Sequence, residues 1–118
     1  MNLKSCLMKI KQYDLWLADL NPTKGTEPGK VRPVVIVQTD LLNDIHGSTL
    51  ICPVTTNVLP QALLLRIHLK KGQLEKLSDV LVDQIRAIDN KRLIKRLGKL
   101  TLEQIQKLKD NIRMVLDL

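Results

Sequence analysis

The sequence predicts a mainly β domain, a small antiparallel barrel followed by one C-terminal helix. Short β-rich runs follow one another without long helices between them, a loop rich in proline and glycine separates the first two runs, and the C-terminal residues have helical periodicity. With 118 residues, the chain is long enough for one core and too short for two. Residues 9–118 are therefore predicted to form a single domain, and residues 1–8 a flexible N-terminal extension.

The first strand is predicted over residues 10–20, where side chains alternate between two faces. One face carries Asp14, Trp16 and Ala18, and the other carries Leu15, Leu17 and Asp19. Residues 21–30 contain two prolines and two glycines, which end the strand and predict a long loop. The run 32–37 is apolar after its first two residues, which indicates a strand covered on both faces.

Further short elements follow before the helix. Residues 40–43 favour one short helical turn, and β-rich runs occupy 49–54, 63–69, 81–82 and 85–88. In the run 63–69, Arg66 and His68 alternate with apolar residues. Strands this short and this closely spaced favour a closed or nearly closed antiparallel sheet, because closure removes exposed strand edges.

The C-terminal segment begins with a capping box, in which the Thr101 hydroxyl accepts from a backbone amide and Gln104 reaches back. One helical face is then apolar, formed by Leu102, Ile105, Leu108, Ile112, Val115 and Leu116. A partner-binding helix is one interpretation of this face. Docking on the barrel is favoured, because apolar periodicity of this kind usually marks a packed face.

The formal net charge is +7 and the pI is near 9.7, which favours a polyanionic partner. A basic run without acidic residues comprises Lys91, Arg92, Lys95, Arg96 and Lys99. This run is either a binding face or an exposed edge. No signal segment or membrane span is recognisable, so a cytoplasmic, reduced protein is expected. Cys6 and Cys52 lack metal-site spacing, and Cys52 is predicted to be a buried, unreactive thiol.

The sequence lacks the motifs of several common catalytic and binding sites. No nucleophilic triad, no paired carboxylates for Mg²⁺ and no glycine-rich nucleotide loop can be assembled, so neither a metal nor a cofactor is expected. RNA would still be a feasible substrate, since it supplies its own nucleophile, the 2′-hydroxyl. The protein then has to orient the sugar and phosphate, stabilise charge on the phosphorane oxygens and assist proton transfer. An arginine suits the second task.

Three separated motifs resemble MazF/PemK toxins. The first is 19–37, reading DLNPTKGTEPGKVRPVVIV, the second is 53–56, PVTT, and the third is 83–89, DQIRAID, followed by KRL at 91–93. The resemblance implies an SH3-like barrel, a homodimer, and sequence-selective cleavage of single-stranded RNA that leaves a 2′,3′-cyclic phosphate and a 5′-hydroxyl. It also implies neutralisation by an acidic antitoxin.

By the same resemblance, Arg32 matches the family's catalytic arginine and Thr55 its catalytic threonine. Substrate contacts are expected from Thr26, Glu27, Lys30, Thr56, Asp83, Gln84 and Arg86. Some relatives carry a histidine where this chain has Thr26, so that proton-transfer group is missing here. The general base is therefore left open, with Glu27 or Asp83 as carboxylates that could accept a proton.

Each candidate has a structural alternative. Arg32 could pair with Glu27 and fasten the loop, and Thr55 could cap a turn through the backbone. Asp83 could form a turn or pair with Arg86.

Trp16 could stack on a base, although a place in the core is favoured. Two other functions remain open: a toxin of the same fold that binds and inhibits DNA gyrase, and a non-catalytic nucleic-acid-binding module. The second is disfavoured because single-strand binders use several aromatic platforms and this chain has one tryptophan, one tyrosine and no phenylalanine.

Overall fold

The structure is a computed structural model that describes residues 9–21 and 30–118. Within these residues, seven strands form a sheet and one helix follows them. The strands are β1 (Asp14–Asp19), β2 (Val31–Ile36), β3 (Ser48–Thr55), β4 (Arg66–His68), β5 (Asp79–Leu81), β6 (Arg86–Asp89) and β7 (Leu93–Lys99), and the helix is α1 (Leu102–Leu116). The predicted mainly β fold with a C-terminal helix is confirmed.

The strand order is β4-β5-β3-β2-β1-β7, and every pairing is antiparallel. Strand β3 is shared: on the side away from β2, its first half pairs with β6 and its end pairs with β5. Among the described strands, β4, β6 and β7 each pair with one neighbour, so the sheet is not closed.

Alternation along β1 and β2 builds two cores, one on each face of the sheet. Trp16 and Val34 belong to one core, and Leu15 and Val35 belong to the other. The alternation predicted for the first strand is therefore confirmed, and so is the core position of Trp16, which is 4% exposed. Residues 34–36 are fully buried, as expected for a strand covered on both faces.

Helix α1 begins at the predicted capping box. The Gln104 amide donates to the Thr101 hydroxyl, and the Thr101 amide donates to the Gln104 side chain. Leu108 is fully buried in the core that contains Leu15, and Ile105 and Ile112 pack against it. The docking of the helix is therefore confirmed in its middle.

The prediction is wrong at both ends of the apolar helical face. Leu102 is 86% exposed, and Val115 and Leu116 are largely exposed as well, whereas Gln104 and Asn111 are buried. Gln104 and Asn111 are buried because their side chains satisfy backbone groups of neighbouring segments. Gln104 donates to the His68 carbonyl, and Asn111 accepts from the Leu65 amide.

Other boundaries differ from the sequence-based prediction. Residues 40–43 form a turn and no helix, and β4 covers the later part of the predicted run 63–69. Of the predicted run 81–82, Leu81 ends a strand that starts at Asp79, and Val82 begins a 3-10 turn. The sequence does not predict strand β7, because burial along it does not alternate and β-bulges interrupt its register with β1. Of the two interpretations of the basic run, its second half is an edge strand. No helix within the described residues is long and apolar enough to cross a membrane. Residues 1–8, the predicted extension, lie outside the described residues.

Candidate active site

Arg32 and Thr55 lie on neighbouring strands at the same end of the sheet. Strands β2 and β3 pair antiparallel with Val34 opposite Pro53. The ladder ends at this pair; continued by two residues, the same register would set Arg32 opposite Thr55. Both side chains are partly buried. In that register, the Arg32 guanidinium and the Thr55 hydroxyl would share the face of the sheet that carries Val34.

The Thr55 hydroxyl is held by a turn. Its oxygen accepts a hydrogen bond from the Asn57 amide at 3.1 Å, so the structural alternative proposed for Thr55 is what the structure contains. This bond uses one lone pair and leaves the hydroxyl proton free to donate. The turn therefore fixes the side chain without consuming its ability to hydrogen-bond a phosphate or a sugar.

The loop that follows Thr55 is tied to a buried carboxylate. Asp79 is 1% exposed and stands directly opposite Thr55 on β5. Its Oδ2 accepts from the Leu59 amide at 2.9 Å and from Arg66 Nη1 at 3.1 Å, and its Oδ1 lies 2.7 Å from His68 Nδ1. We call Arg66, His68 and Asp79 the Asp79 cluster.

Hydrogen bonding determines the charge state of this cluster. Burial alone would raise the pKa of the Asp79 carboxyl, but bonds from the Leu59 amide, His68 and Arg66 outweigh it and hold that pKa below its usual range. The bond to Asp79, and after it the bond to the Ala62 carbonyl, raise the pKa of the His68 imidazole. The cluster therefore favours an ionised carboxylate beside a protonated imidazole.

Two of the expected substrate-binding residues lie next to Arg32 and Thr55. Lys30 is exposed immediately before β2, and its carbonyl accepts from the Leu20 amide, which closes the described end of β1 against β2. Thr56 is exposed in the turn after β3. Thr26 and Glu27 lie outside the described residues, so the expected pairing of Arg32 with Glu27 stays a prediction.

The remaining expected residues lie elsewhere along β3. Asp83 and Gln84 are exposed in a 3-10 turn, and Arg86 begins β6 opposite Ile51. Ile51 is four residues from Thr55, about 13 Å along the strand. In the described residues Asp83 and Arg86 form no ion pair, whereas Asp83 does lie in a turn.

Cys52 confirms the prediction of a buried thiol. It is fully buried, and burial together with the nearby charge of Asp83 raises the pKa of the thiol to about 12. In the described part of the chain, no three histidine, cysteine or carboxylate side chains converge as a metal site would require.

Known proteins resemble this chain in sequence and in structure. The profile of the PemK-like, MazF-like toxins of type II toxin-antitoxin systems matches residues 11–116. An endoribonuclease MazF of Staphylococcus epidermidis is 38% identical over 90 residues, which are 75% of this chain and 75% of that protein. The chain belongs to the PemK/MazF toxin family.

Solved PemK/MazF structures share the fold. Mycobacterium tuberculosis toxin MazF-mt6 has a TM-score of 0.74 at 23% identity, covering 89% of this chain and 97% of that one. MazF in a MazE-MazF crystal structure from Deinococcus radiodurans has a TM-score of 0.77 at 19% identity, covering 92% and 97%. The family resemblance drawn from the three sequence motifs is thus confirmed.

The sequence did not reveal the Asp79 cluster in this PemK/MazF chain. In the sequence, the available signal is the alternation of Arg66 and His68 with apolar residues along a predicted strand. Their acceptor is 13 and 11 residues away on a different strand. Only the pairing of β4 with β5 brings them together.

Proposed function

We propose that this chain is a metal-independent, sequence-selective endoribonuclease of the toxin type that cleaves single-stranded RNA. The observation that carries the proposal is the β2–β3 register, which, continued by two residues, would set Arg32 opposite Thr55 in a chain that belongs to the PemK/MazF family. The relative from Staphylococcus epidermidis, named as an endoribonuclease, supports the same activity.

The proposed reaction is a transesterification within the RNA. The 2′-oxygen forms a bond to the adjacent phosphorus, and the bond from phosphorus to the 5′-oxygen breaks. The 2′-hydroxyl loses its proton and the departing 5′-oxygen gains one, which leaves a 2′,3′-cyclic phosphate and a 5′-hydroxyl. No water or metal-bound hydroxide is consumed in this step.

Arg32 and Thr55 divide the work at the phosphate. The Arg32 guanidinium can donate two hydrogen bonds to the phosphorane oxygens, whose charge grows in the transition state. The Thr55 hydroxyl proton, left free by the turn, can donate to a phosphate oxygen and keep the group in line. Lys30 and Thr56 would contact the same phosphate region. Asp83, Gln84 and Arg86 would contact nucleotides further along the strand, with Thr26 and Glu27 contributing from the loop before β2.

The proposal extends to partners. Two structural neighbours, a MazE-MazF structure from Deinococcus radiodurans and a mycobacterial endoribonuclease with its cognate antitoxin, are toxin complexes. A net charge of +7 suits an acidic antitoxin as well as RNA. We therefore expect an acidic antitoxin to neutralise this chain, and we expect the active form to be a homodimer.

The decisive experiment tests the nucleophile and the metal together. The purified protein is incubated in EDTA with an unstructured RNA and with the same RNA carrying one 2′-deoxy sugar at the cut site. Cleavage of the first and survival of the second are expected. Loss of all cleavage in EDTA, or cleavage of the deoxy strand, would contradict the mechanism. Inhibition of gyrase without RNA cleavage would support the gyrase-binding alternative.

A matched pair of variants tests Arg32. Arg32→Ala should lower the cleavage rate by about 100-fold or more, the loss typical of one transition-state hydrogen-bond donor. Arg32→Lys keeps the charge but loses the bidentate hydrogen-bonding geometry, so its cleavage rate should lie between those of the parent and Arg32→Ala. Unchanged melting temperatures would show that both variants fold. An Arg32→Ala protein that cuts as fast as the parent would remove Arg32 from the mechanism.

A further inference from the structure

We propose that Asp79, Arg66 and His68 are positioning residues that set the Thr55 hydroxyl for RNA cleavage, and that they do so fully only while His68 is protonated. This inference rests on the proposed function. It assigns a role to a cluster that neither composition nor the three sequence motifs identified.

A continuous path of hydrogen bonds runs from Asp79 to Thr55. Asp79 Oδ2 accepts from Arg66 Nη1 at 3.1 Å, and the same Nη1 donates to the Asn57 carbonyl at 2.7 Å. The Asn57 amide in turn donates to the Thr55 hydroxyl oxygen. The peptide groups of Asn57 are thus held at both ends, and the rotamer of Thr55 depends on where Asn57 is held.

The cluster holds the rest of the loop as well. Asp79 Oδ2 accepts from the Leu59 amide, and His68 Nε2 lies 2.8 Å from the Ala62 carbonyl oxygen. The loop between β3 and β4 is therefore attached at residues 57, 59 and 62 to three side chains of the cluster. The far end of the loop is held separately, where Leu65 bonds to Asn111 and to the Val82 amide, so the bonds to the cluster fix the part next to Thr55.

His68 must be doubly protonated to make both of its bonds. Nδ1 faces a carboxylate oxygen and Nε2 faces a carbonyl oxygen, and neither oxygen can donate a proton. A neutral imidazole has one N–H group and would lose one of the two bonds. The neutral ring therefore releases either Asp79 or the loop at Ala62.

The groups that face His68 come from three elements. Asp79 approaches from β5 and Arg66 from β4. Lys70, Glu103 and Lys107 share with His68 a cavity of about 280 Å³ between β4 and α1. Asp79 stabilises the imidazolium and Lys107 opposes it, with Asp79 dominant because it is in direct contact. The His68 side chain is 40% exposed, so solvent protons reach it without unfolding.

The test compares the pH dependence of single-turnover cleavage in the parent, His68→Gln and Asp79→Asn. The parent-to-His68→Gln ratio of cleavage rates should be about tenfold at pH 6, the value of one charge-assisted hydrogen bond. The ratio should fall toward one as pH rises through the titration of His68. Taking the ratio removes the acceleration that any 2′-hydroxyl reaction gains at high pH. Asp79→Asn should be slow throughout, and in a separate steady-state assay its kcat should change more than its KM.

His46→Gln is the matched control. The chain has two histidines, and His46 precedes the opposite end of β3, more than about 20 Å from Thr55 along the strand. Its pH profile should coincide with that of the parent. A His68→Gln rate reduced by one constant factor at every pH, or a profile equal to the parent's, would overturn the inference, since a purely structural role predicts the first and no role predicts the second.

A measurement on the parent protein covers the case in which the parent does not cleave or a variant does not fold. The His68 ring and the backbone amides of Asn57 and Leu59 are followed by NMR from pH 5 to pH 9. Shared midpoints support the positioning role, and loop amides that ignore the His68 titration overturn it. Absence of cleavage by the parent would count against the proposed function alone.

Discussion

Asp79 shows how a single side chain can carry a full charge while 1% exposed. Burying a carboxylate is unfavourable unless donors replace the lost water, and here Leu59, Arg66 and His68 supply them. The same bonds shift two protonation equilibria in opposite directions. The pKa of Asp79 is lowered and that of His68 is raised.

These shifts predict a window of stability. Asp79 contributes above the ordinary carboxyl pKa of about 4 and loses its contribution as pH falls through its lowered value. His68 contributes below the ordinary imidazole pKa of about 6.5 and loses its contribution as pH rises through its raised value. In urea unfolding, the parent should therefore exceed His68→Gln in stability most clearly between about pH 4 and pH 6.5. A stability difference between the parent and His68→Gln that grows above pH 8 would contradict the direction assigned to the pKa shift of His68.

Cys52 permits a second test at the level of one side chain. The Cys52 thiol is fully buried, and its pKa is raised to about 12. At pH 8 the thiol should therefore be neither accessible to a disulfide reagent nor ionised. In a Cys6→Ser protein, the reagent should react slowly in buffer and at once in urea. Rapid reaction of the folded protein would show that the core around β3 opens readily.

For individual residues, the local sequence predicts which side chains are buried better than it predicts which side chains they contact. Trp16 and Cys52 could be placed in the core because their neighbours are apolar. The partners of Asp79 could not be identified, because its contacts depend on which short strands pair.

Helix α1 shows what periodicity predicts and where it fails. The pattern assigned Leu102 and Leu108 to one buried face, yet Leu108 is fully buried and Leu102 is 86% exposed. The buried face is centred on Gln104, Leu108 and Asn111, and Leu102 lies about 120° around the helix axis from Leu108. The apolar pattern therefore misjudges the direction of the buried face, because two of its members are polar side chains.

Alanine substitution of each leucine measures this difference. Leu108→Ala should lower the free energy of unfolding by about 2–5 kcal/mol, because it leaves a cavity in the core. Leu102→Ala should change it by less than about 0.5 kcal/mol, as for surface positions. Denaturant unfolding of both variants gives the comparison. Equal losses would mean that the first turn of α1 is covered in solution.

The strands also differ in how well the sequence predicts them. β1, β2 and β3 have local patterns long enough to be recognised, and the capping box marks the start of α1. β4 and β5 have three residues each and depend on each other. The family resemblance implies that Arg32 and Thr55 share one site, and the register of β2 with β3 is consistent with this prediction.

At the scale of the whole molecule, the excess of nineteen basic over twelve acidic residues is the dominant property. Such a surface attracts RNA before any specific contact forms, and the attraction weakens with salt as counterions compete.

Salt dependence measures how many phosphates are engaged. If about three phosphates are contacted, the logarithm of the binding constant should fall against the logarithm of the salt concentration with a slope of about −2. The measurement uses RNA with a 2′-deoxy sugar at the cut site, so that binding is not confused with cleavage. A flat response would indicate a protein target.

Strand β7 lies at an edge of the described sheet, and Lys95, Arg96 and Lys99 are exposed along it. Unpaired backbone groups at such an edge could recruit another copy of the same strand, and like charges oppose that approach. Arg96 also reaches back to Asp14 at 2.8 Å, which keeps one of these side chains in place. Replacing Lys95 and Lys99 with neutral β-formers would keep the ion pair between Arg96 and the buried Asp14 and would turn this edge into a starting point for aggregation.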